Sequence, residues 1–252
     1  MSVAACAALV ARGDPDRFLA TMAAPVAVRA RLFPLYAFNL EVARAPWVSE
    51  QPLIAGMRLQ WWRDVVAGGD ARAHEVAAPL HGVIRGAGLP VDVLDRLIAA
   101  RAWDVDREAF ADDAAFAAYV EDTGAGLMWL ACVAAGSRQG EAAARDIGWA
   151  AGLASFLRAA PVLAARGRVP LVDDSEVALR ALAREGLARL ARGRAEIRTL
   201  GAGRIATLAA WQAGAVLRMV ARDPGRVAAG RLQRSEFARR AGLVWGSVLG
   251  RI

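Results

Sequence analysis

The sequence predicts an all-α protein made of one domain. Of the 252 residues, 56% are hydrophobic, and Ala and Leu far outnumber Thr, Tyr and Ile. Ala and Leu lose little conformational freedom in a helix, so this composition favours packed helices over sheets. No stretch rich in Pro, Gly or Ser divides the chain, which is long enough to bury a large core. We therefore expect a single domain over residues 1–252.

Helix start and stop signals delimit the predicted elements in chain order. Apolar residues recur at three- and four-residue steps after Pro25 and follow the helix starts at Pro52 and Pro90, while Gly68-Gly69 ends the helix that Pro52 begins. No run alternates as a strand does. We predict helices over residues 3–12, 14–23, 26–44, 52–67, 74–85, 91–110, 114–135, 141–165, 175–200, 204–222 and 234–250.

Two of these helices, 114–135 and 141–165, are nearly apolar and are expected to form the central walls. The first contains the small-residue patch Gly124-Ala125-Gly126, which would let another backbone or an apolar ligand approach closely. The N-terminal apolar run lacks the basic flank of a signal peptide, and Arg or Asp interrupts every later long apolar stretch. We therefore expect no membrane-spanning segment.

The positive charge lies in the last third of the chain. All 32 basic residues are Arg, which excludes a Walker A lysine and a Schiff-base lysine; residues 1–179 carry a net charge of −4 and residues 180–252 a net charge of +11. Arginines alternate there with an apolar series, so one face of the helix would pack and the other would face anionic lipid or simply solvent. No nucleic acid is expected, because exposed aromatics do not interleave the basic residues. The arginines are Arg180, Arg184, Arg189, Arg192, Arg194 and Arg198, and the apolar series is Leu179, Leu182, Leu190, Ile197 and Leu200.

Cysteines, histidines and tryptophans give no strong signal of a site. Cys6 and Cys132 lie in apolar runs and are expected to be reduced, buried thiols. His74 and His81 are seven residues apart, which does not suit a metal site, so surface or interface positions are favoured. The pair Trp61-Trp62 predicts one ring in the core and the other at an interface.

Carboxylates offer one candidate for binding Mg²⁺. Asp104 and Glu108 are spaced to share one face of a helix, with Asp106 between them. Arg101 and Arg107 flank them, so the pattern favours a solvated, charge-laced face over a metal site.

Three segments together resemble the squalene/phytoene synthase family. The segment from Phe33 reads FPLYAFNLEVARAPW, which is similar to the family's first signature, and the segment from Ile147 reads IGWAAGLASFLRAAPVLAARGRVPL, which is similar to the second. Between them, YVEDTGAG from Tyr119 resembles the family's Tyr…Ala-Gly-x-Val-Gly helix. The resemblance covers roughly residues 16–175 and implies an isoprenoid synthase-like helical bundle around a central cavity.

The same resemblance implies that the family's metal-binding aspartates are missing. Its aspartate positions fall on Ala43, Arg44 and Trp47 in the first signature and on Ala159 and Leu163 in the second. Active members join two prenyl diphosphates with the help of Mg²⁺, which needs hard oxygen ligands. We therefore expect no catalytic residue, metal or cofactor. The alternative is an active Mg²⁺-dependent, head-to-head prenyltransferase with relocated carboxylates such as Asp104 and Glu108.

The segments AFNLE at Ala37 and LRAAP at Leu157 are similar to one branch of the family, which includes the mitochondrial complex I assembly factor related to phytoene synthases and its alphaproteobacterial relatives. This implies respiratory complex I subunits and an isoprenoid or lipid as partners. From the reduced thiols and the lack of a membrane-spanning segment we expect a cytoplasmic protein peripheral to the inner membrane, where the Arg-rich helices would meet an anionic membrane surface. A third alternative is a helical protein-interaction module whose cavity is closed by Trp and Met side chains. The candidate ligand-binding residues are Tyr36, Asn39, Glu41, Arg44, Gly126, Arg158 and Arg168.

Among these candidates, Arg44 and Arg158 have a specific expected role. Their guanidinium groups match phosphate oxygens and could hold a phosphate or diphosphate without metal.

Overall fold

The computed structural model describes residues 2–49, 51–69, 74–106 and 108–233. Within these ranges the regular elements are helices, and no strand is present, as the composition predicts. The α-helices are α1 (Val3–Gly13), α2 (Pro15–Met22), α3 (Val26–Arg44), α4 (Pro52–Val66), α5 (Ala77–Ala87), α6 (Val91–Ala100), α7 (Ala102–Asp106), α8 (Asp113–Val120), α9 (Gly126–Ala134), α10 (Glu141–Ala165), α11 (Glu176–Ala195) and α12 (Ala213–Arg222). A 3₁₀ turn follows α3 at Ala45–Trp47, a second follows α12 at Pro224–Arg226, and a long 3₁₀ segment covers Ile197–Ala210.

Most helices begin where the sequence predicts them. Pro25 precedes α3, Pro52 occupies the first position of α4 and Pro90 precedes α6. The predicted helix 91–110 is wrong beyond Ala100, because the chain turns at Arg101 and resumes as the short α7. This turn brings Asp104 into the protein interior, where it is 4% exposed.

The C-terminal third also departs from the prediction. The helices expected at 175–200 and 204–222 are separated by the 3₁₀ segment, in which Gly201 has a φ of 54°. A residue with a side chain rarely adopts this left-handed conformation, so Gly201 permits the kink. The helix expected at 74–85 begins later, at Ala77, and the helix predicted at 234–250 lies outside the described residues.

One turn of π-helix interrupts the predicted helix 114–135. It covers Glu121–Ala125 and joins α8 to α9. A π-turn inserts one residue into an α-helix, and such turns occur often at functional sites. Here it holds Thr123 and Gly124 against a cavity described below.

The long helix α10 packs directly on the π-turn through glycines. A Cβ added to Gly124 would lie 2.8 Å from the Cα of Gly152 and 3.0 Å from the carbonyl oxygen of Gly148. The two backbones are therefore in contact, which confirms that the small-residue patch admits another backbone. Gly126 instead faces Val93 on α6, at 3.2 Å from a Cβ added to it.

Helix α10 lies inside the bundle, where it contacts α9, α11 and α12. The most apolar stretch of 18 residues within this 25-residue helix has a mean hydropathy of 1.4. Among the described residues, α10 is therefore the one helix that is long and apolar enough to cross a membrane. The sequence was expected to contain no such segment. Half of that window is buried against the rest of the protein, as in the core helix of a globular protein.

The arginine-rich helix α11 packs on one side, as its pattern predicts. Leu179 and Leu190 are buried, while several of its arginines pair with carboxylates. Arg192 forms a bidentate pair with Asp146 at 3.0 and 3.1 Å, and Arg189 lies 3.5 Å from Glu121 and over the ring of Trp149. Part of the positive charge of this region is therefore balanced within the fold.

Candidate functional site

A cavity of about 350 Å³ lies between α3, the π-turn, α9 and α10. These include the two nearly apolar helices expected to form the central walls. Its apolar lining includes Leu40, Val120, Leu127, Met128, Phe156 and Leu163. Trp47 and Met128 line the space without filling it, which disagrees with the alternative of a cavity closed by such side chains. A concave, mainly apolar space with a few polar groups is the usual form of a ligand site.

One polar cluster on the cavity wall consists of Arg101, Asp104 and Tyr119. The Tyr119 hydroxyl donates to Oδ2 of Asp104 at 2.9 Å, and Nη1 of Arg101 donates to the Tyr119 oxygen at 2.6 Å and to Asp104 at 3.3 Å. Burial raises the pKa of Tyr119, so its hydroxyl stays protonated at neutral pH. Each member of the cluster is thus held by the other two.

Aromatic rings and a second arginine, Arg168, pack against this cluster. Trp103 stacks on Phe110 with ring centroids 4.1 Å apart, and both rings contact Tyr119 edge-on. Arg168 lies over Trp103 and donates to the backbone carbonyl of Asp104. The short helix α7 is therefore fixed by contacts that come from α8 and from the loop after α10.

A second polar group enters the cavity from α2 and α3. Asp14 caps α2 by accepting from the backbone N–H of Arg17 at 2.9 Å, and its carboxylate pairs with the Arg17 guanidinium at 3.1 Å. That guanidinium lies 5.1 Å from the centre of the Tyr36 ring. Asn39 lies one helical turn further along α3 and is 6% exposed.

Three of the positions at which the resemblance would place aspartates line this cavity, and all three are apolar. They are Trp47, Ala159 and Leu163. Arg166 also lines the cavity and lies over the Trp47 ring, 5.0 Å from its centre. Ala43 and Arg44 are not part of the lining.

The carboxylates that reach the cavity do not fit a magnesium site. Asp14 and Asp104 come from separate elements, and each is already paired with an arginine. Across the described ranges, no group of three or more His, Cys, Asp or Glu is placed to hold a metal ion. Mg²⁺ requires hard oxygen ligands in near-octahedral arrangement, and carboxylates neutralised by guanidinium groups do not supply them.

The candidate residues from the sequence are only partly brought together. Tyr36 and Asn39 line the cavity. Arg158 lines an adjoining space of about 420 Å³, where it pairs with Asp16 at 3.5 Å. Arg168 is buried behind the wall, 6% exposed.

The remaining candidates lie elsewhere. Glu41 lines a surface groove of about 480 Å³, where its Oε2 lies 3.7 Å from Nε2 of His74. Trp61 and Trp62 both line the same groove. Trp62 is 3% exposed and belongs to the core, as expected for one ring of the pair, whereas Trp61 is partly exposed. Arg44 is exposed. Arg44 and Arg158 thus do not face one shared space.

Arg17, Arg101 and Arg166 line the cavity although the sequence did not indicate them, and the position expected for Asp104 is wrong. A solvated face was expected for Asp104, but the residue is buried in the cavity wall. Glu108 is exposed and does not join it. The only signal in the sequence was the proximity of Asp104 to the aromatic residues Trp103 and Phe110, which indicates a buried environment.

Comparison with known families supports the resemblance seen in the sequence. The profile of the family described as squalene/phytoene synthase matches residues 10–176. Two solved structures have the same fold, a dehydrosqualene synthase in complex with a ligand and a squalene synthase from Alicyclobacillus acidocaldarius. The first superposes with a TM-score of 0.76 over 99% of this chain and 97% of that chain at 12% identity. The second has a TM-score of 0.69 over 87% and 93% at 16% identity.

Curated relatives are similar to this chain over about half of their own length. A protein of Bos taurus named NADH dehydrogenase (ubiquinone) complex I, assembly factor 6, is 30% identical over 174 residues, which is 67% of this chain and 52% of the relative. The human protein of the same name is 29% identical over the same shares. The Drosophila melanogaster homolog is 30% identical over 195 residues, 73% of this chain and 58% of the relative.

Proposed function

The chain belongs to the squalene/phytoene synthase family, and from this we propose that it is a member without synthase activity, which holds an isoprenoid or other lipid in its central cavity and serves respiratory complex I assembly. The observation that carries the proposal is the lining of the cavity. The resemblance places the family's aspartates at Trp47, Ala159 and Leu163, and these three apolar residues line the cavity. This lining supports a scaffold that is kept without the groups that would bind magnesium.

The absence of synthase activity has a direct test. Purified protein is incubated with farnesyl or geranylgeranyl diphosphate and Mg²⁺, and released inorganic diphosphate is measured. Head-to-head coupling needs metal to stabilise the leaving diphosphate, so we expect no release above a buffer control. Turnover that is abolished by Asp104→Ala would refute the proposal.

A second candidate function, an active prenyltransferase, is favoured by one observation. Asp104 reaches the cavity although the sequence indicated a solvated position. Its carboxylate is held by Arg101 and Tyr119, and among the described residues no group of three or more His, Cys, Asp or Glu is placed to hold a metal ion. We therefore rank this candidate second, and the Asp104→Ala assay separates the two.

Lipid binding is supported by the apolar lining and tested by filling the cavity. Ala151 lines the cavity on α10, and Ala151→Phe would place a ring in the space. We expect native mass spectrometry to detect a lipid that copurifies with the wild type and is lost in Ala151→Phe. Ala181→Phe, at an exposed position of α11, is the matched control and should retain the lipid. If the wild-type protein is purified without lipid and also binds no added lipid, this part of the proposal is contradicted.

The assembly role is supported by the similarity to relatives named as complex I assembly factors. Deleting the gene in its own organism should lower the amount of assembled complex I on native gels, and the wild-type gene should restore it. Complementation by Ala151→Phe tests whether the role needs the cavity. Normal complex I in the deletion strain would exclude an assembly role.

We also propose that the protein acts in the cytoplasm at the surface of the inner membrane. The support is the net positive charge of the last third of the chain and the exposed Arg184, Arg198 and Arg222. Exposed arginines attract anionic lipid headgroups. Cosedimentation with vesicles containing phosphatidylglycerol, but not with phosphatidylcholine vesicles, is the expected result, and the triple Gln variant of these arginines should bind less.

A further inference from the structure

Helices α11 and α12 pack against each other and run in opposite directions. Near the start of α11, Nε of Arg180 donates to the carbonyl oxygen of Ala221 at 3.2 Å. Further along α11, Cδ2 of Leu190 lies 3.2 Å from the position of a Cβ added to Gly214. The last turns of α11 are therefore next to the first turns of α12.

The side chain of Arg218 on α12 folds back toward this contact. Its Nη1 and Nη2 lie 3.3 and 3.7 Å from the position of a Cβ added to Gly214, so the guanidinium lies against the backbone of that glycine. Arg194 lies one turn beyond Leu190 on α11, and a helical side chain leans toward the N-terminus of its helix. Both guanidinium groups are thus directed toward the level of Leu190 and Gly214.

Arg194 and Arg218 lack a carboxylate partner among the described residues. Neither side chain forms an ion pair or a hydrogen bond there. Three other arginines of α11, namely Arg180, Arg189 and Arg192, each pair with an Asp or Glu. The positive charge of Arg194 and Arg218 is therefore not balanced by the part of the protein that the structure describes.

Burial and repulsion both act on Arg194. Burial lowers the pKa of its guanidinium, and the nearby charge of Arg218 lowers this pKa further. Arginine nevertheless stays charged at neutral pH, because its ordinary pKa is so high. Two like charges that are held close together, one of them partly buried, destabilise the fold unless an anion compensates them.

We propose that Arg194 and Arg218 form a binding site for a phosphate group, which their guanidinium groups hold from the solvent side. Arg194 is partly exposed and Arg218 is exposed, so an anion reaches the pair without entering the protein. Guanidinium groups match phosphate oxygens in geometry and stay charged. Phospholipid headgroups and free phosphate both offer this chemistry. The site lies outside the central cavity and does not depend on the lipid proposed there.

Inorganic phosphate is the first probe of this site. It is titrated into the purified protein and binding is measured by calorimetry, with sodium chloride of equal ionic strength as the ionic control. We expect a Kd of about 1 mM or below, and an affinity about tenfold or more weaker in Arg194→Gln and in Arg218→Gln. Arg85→Gln is the matched control and should bind as the wild type does, since Arg85 is exposed on α5 and pairs with no described carboxylate.

Thermal unfolding gives a second measurement, which shows the repulsion directly. Arg218→Gln removes one of the two like charges, so in phosphate-free buffer this variant should melt about 1–2 °C above the wild type. Added phosphate should then raise the melting temperature of the wild type and of Arg85→Gln, but not that of Arg218→Gln. An equal rise in all three proteins would overturn the proposal.

Vesicles distinguish the two sources of the phosphate group. Cosedimentation with phosphatidylglycerol vesicles is measured for the wild type, Arg194→Gln and Arg85→Gln. If Arg194→Gln weakens the binding of vesicles as well as of phosphate, the site takes a lipid headgroup. If Arg194→Gln weakens the binding of phosphate alone, the site takes free phosphate or a soluble phosphate ester. A wild type that binds no phosphate, or an affinity that is unchanged in both Arg194→Gln and Arg218→Gln, would show that the site does not exist.

Discussion

The hydroxyl of Tyr119 donates a hydrogen bond of 2.9 Å to the carboxylate of Asp104, which lies 15 residues earlier in the chain. Because both groups are buried, Tyr119→Phe would leave the carboxylate and Arg101 with one partner fewer. We expect the free energy of unfolding to fall by about 1–3 kcal/mol, as measured by urea denaturation.

Tyr36→Phe is the matched control for that variant. Tyr36 is 2% exposed, and its hydroxyl hydrogen-bonds to no other described residue. Losing this hydroxyl should change stability by less than about 0.5 kcal/mol. Equal losses in the two variants would show that the bond to Asp104 contributes nothing specific.

Gly152→Ala should destabilise the contact between α10 and the π-turn. The added Cβ would lie 2.9 Å from the Cα of Gly124, which is backbone and has no rotamer to change. We expect a loss of about 1–3 kcal/mol in the free energy of unfolding.

Gly82→Ala is the matched control for Gly152→Ala, and it is expected to raise stability rather than lower it. Gly82 lies inside α5, is exposed, and a Cβ added there meets nothing within 4 Å. Alanine should stabilise the helix by roughly 0.5–1 kcal/mol. A Gly152→Ala variant as stable as the wild type would contradict close contact of the two backbones.

The pair of Glu41 and His74 predicts a stability difference that depends on pH. The His74 imidazole, whose Nε2 lies 3.7 Å from Oε2 of Glu41, holds the pKa of Glu41 below its ordinary value. A lowered carboxyl pKa stabilises the fold above the unfolded pKa of about 4.3, and this contribution is lost as pH falls through the lower folded pKa. Wild type should exceed Glu41→Gln by up to about 1 kcal/mol at pH 6, and the difference should shrink at pH 3. Equal differences at both pH values would contradict this.

Both thiols should be inert in the folded protein. Burial raises the pKa of Cys6 to about 11 and that of Cys132 to about 12, and both side chains are fully buried. Since the thiolate is the nucleophile, labelling by a disulfide reagent at pH 8 should be at least about a hundredfold slower than in guanidinium chloride. Ala181→Cys, exposed on α11, should add one thiol that reacts at once. Rapid reaction of two thiols in native wild type would refute the prediction.

The bundle could largely be predicted from the sequence because its signals are local. Pro25 and Pro52 mark helix starts by their fixed φ, and the glycines of 124–126 and 148–152 mark where two helices approach. The candidate residues Tyr36 and Asn39 also lie in the cavity, since α3 is regular from Val26 to Arg44 and the register is preserved.

The charged part of the cavity could not be predicted, because distant contacts determine it. The periodicity of residues 91–110 is compatible with one continuous helix, and nothing local requires the turn at Arg101. The turn is held by Tyr119, 18 residues later, and by Arg168, 64 residues after Asp104. The turn therefore places Asp104, which would be exposed to solvent on a continuous helix, in the wall of the cavity.

The contact between Gly124 and Gly152 also makes one side of the cavity rigid. Main chain meets main chain there, so no rotation of a side chain can widen or narrow that wall. The size of the proposed lipid ligand would then be set by side chains on the other sides, such as Met128 and Leu163. Replacing Leu163 with a larger residue should shorten the longest lipid chain that binds. The wall formed by Gly124 and Gly152 should stay in place in such a variant.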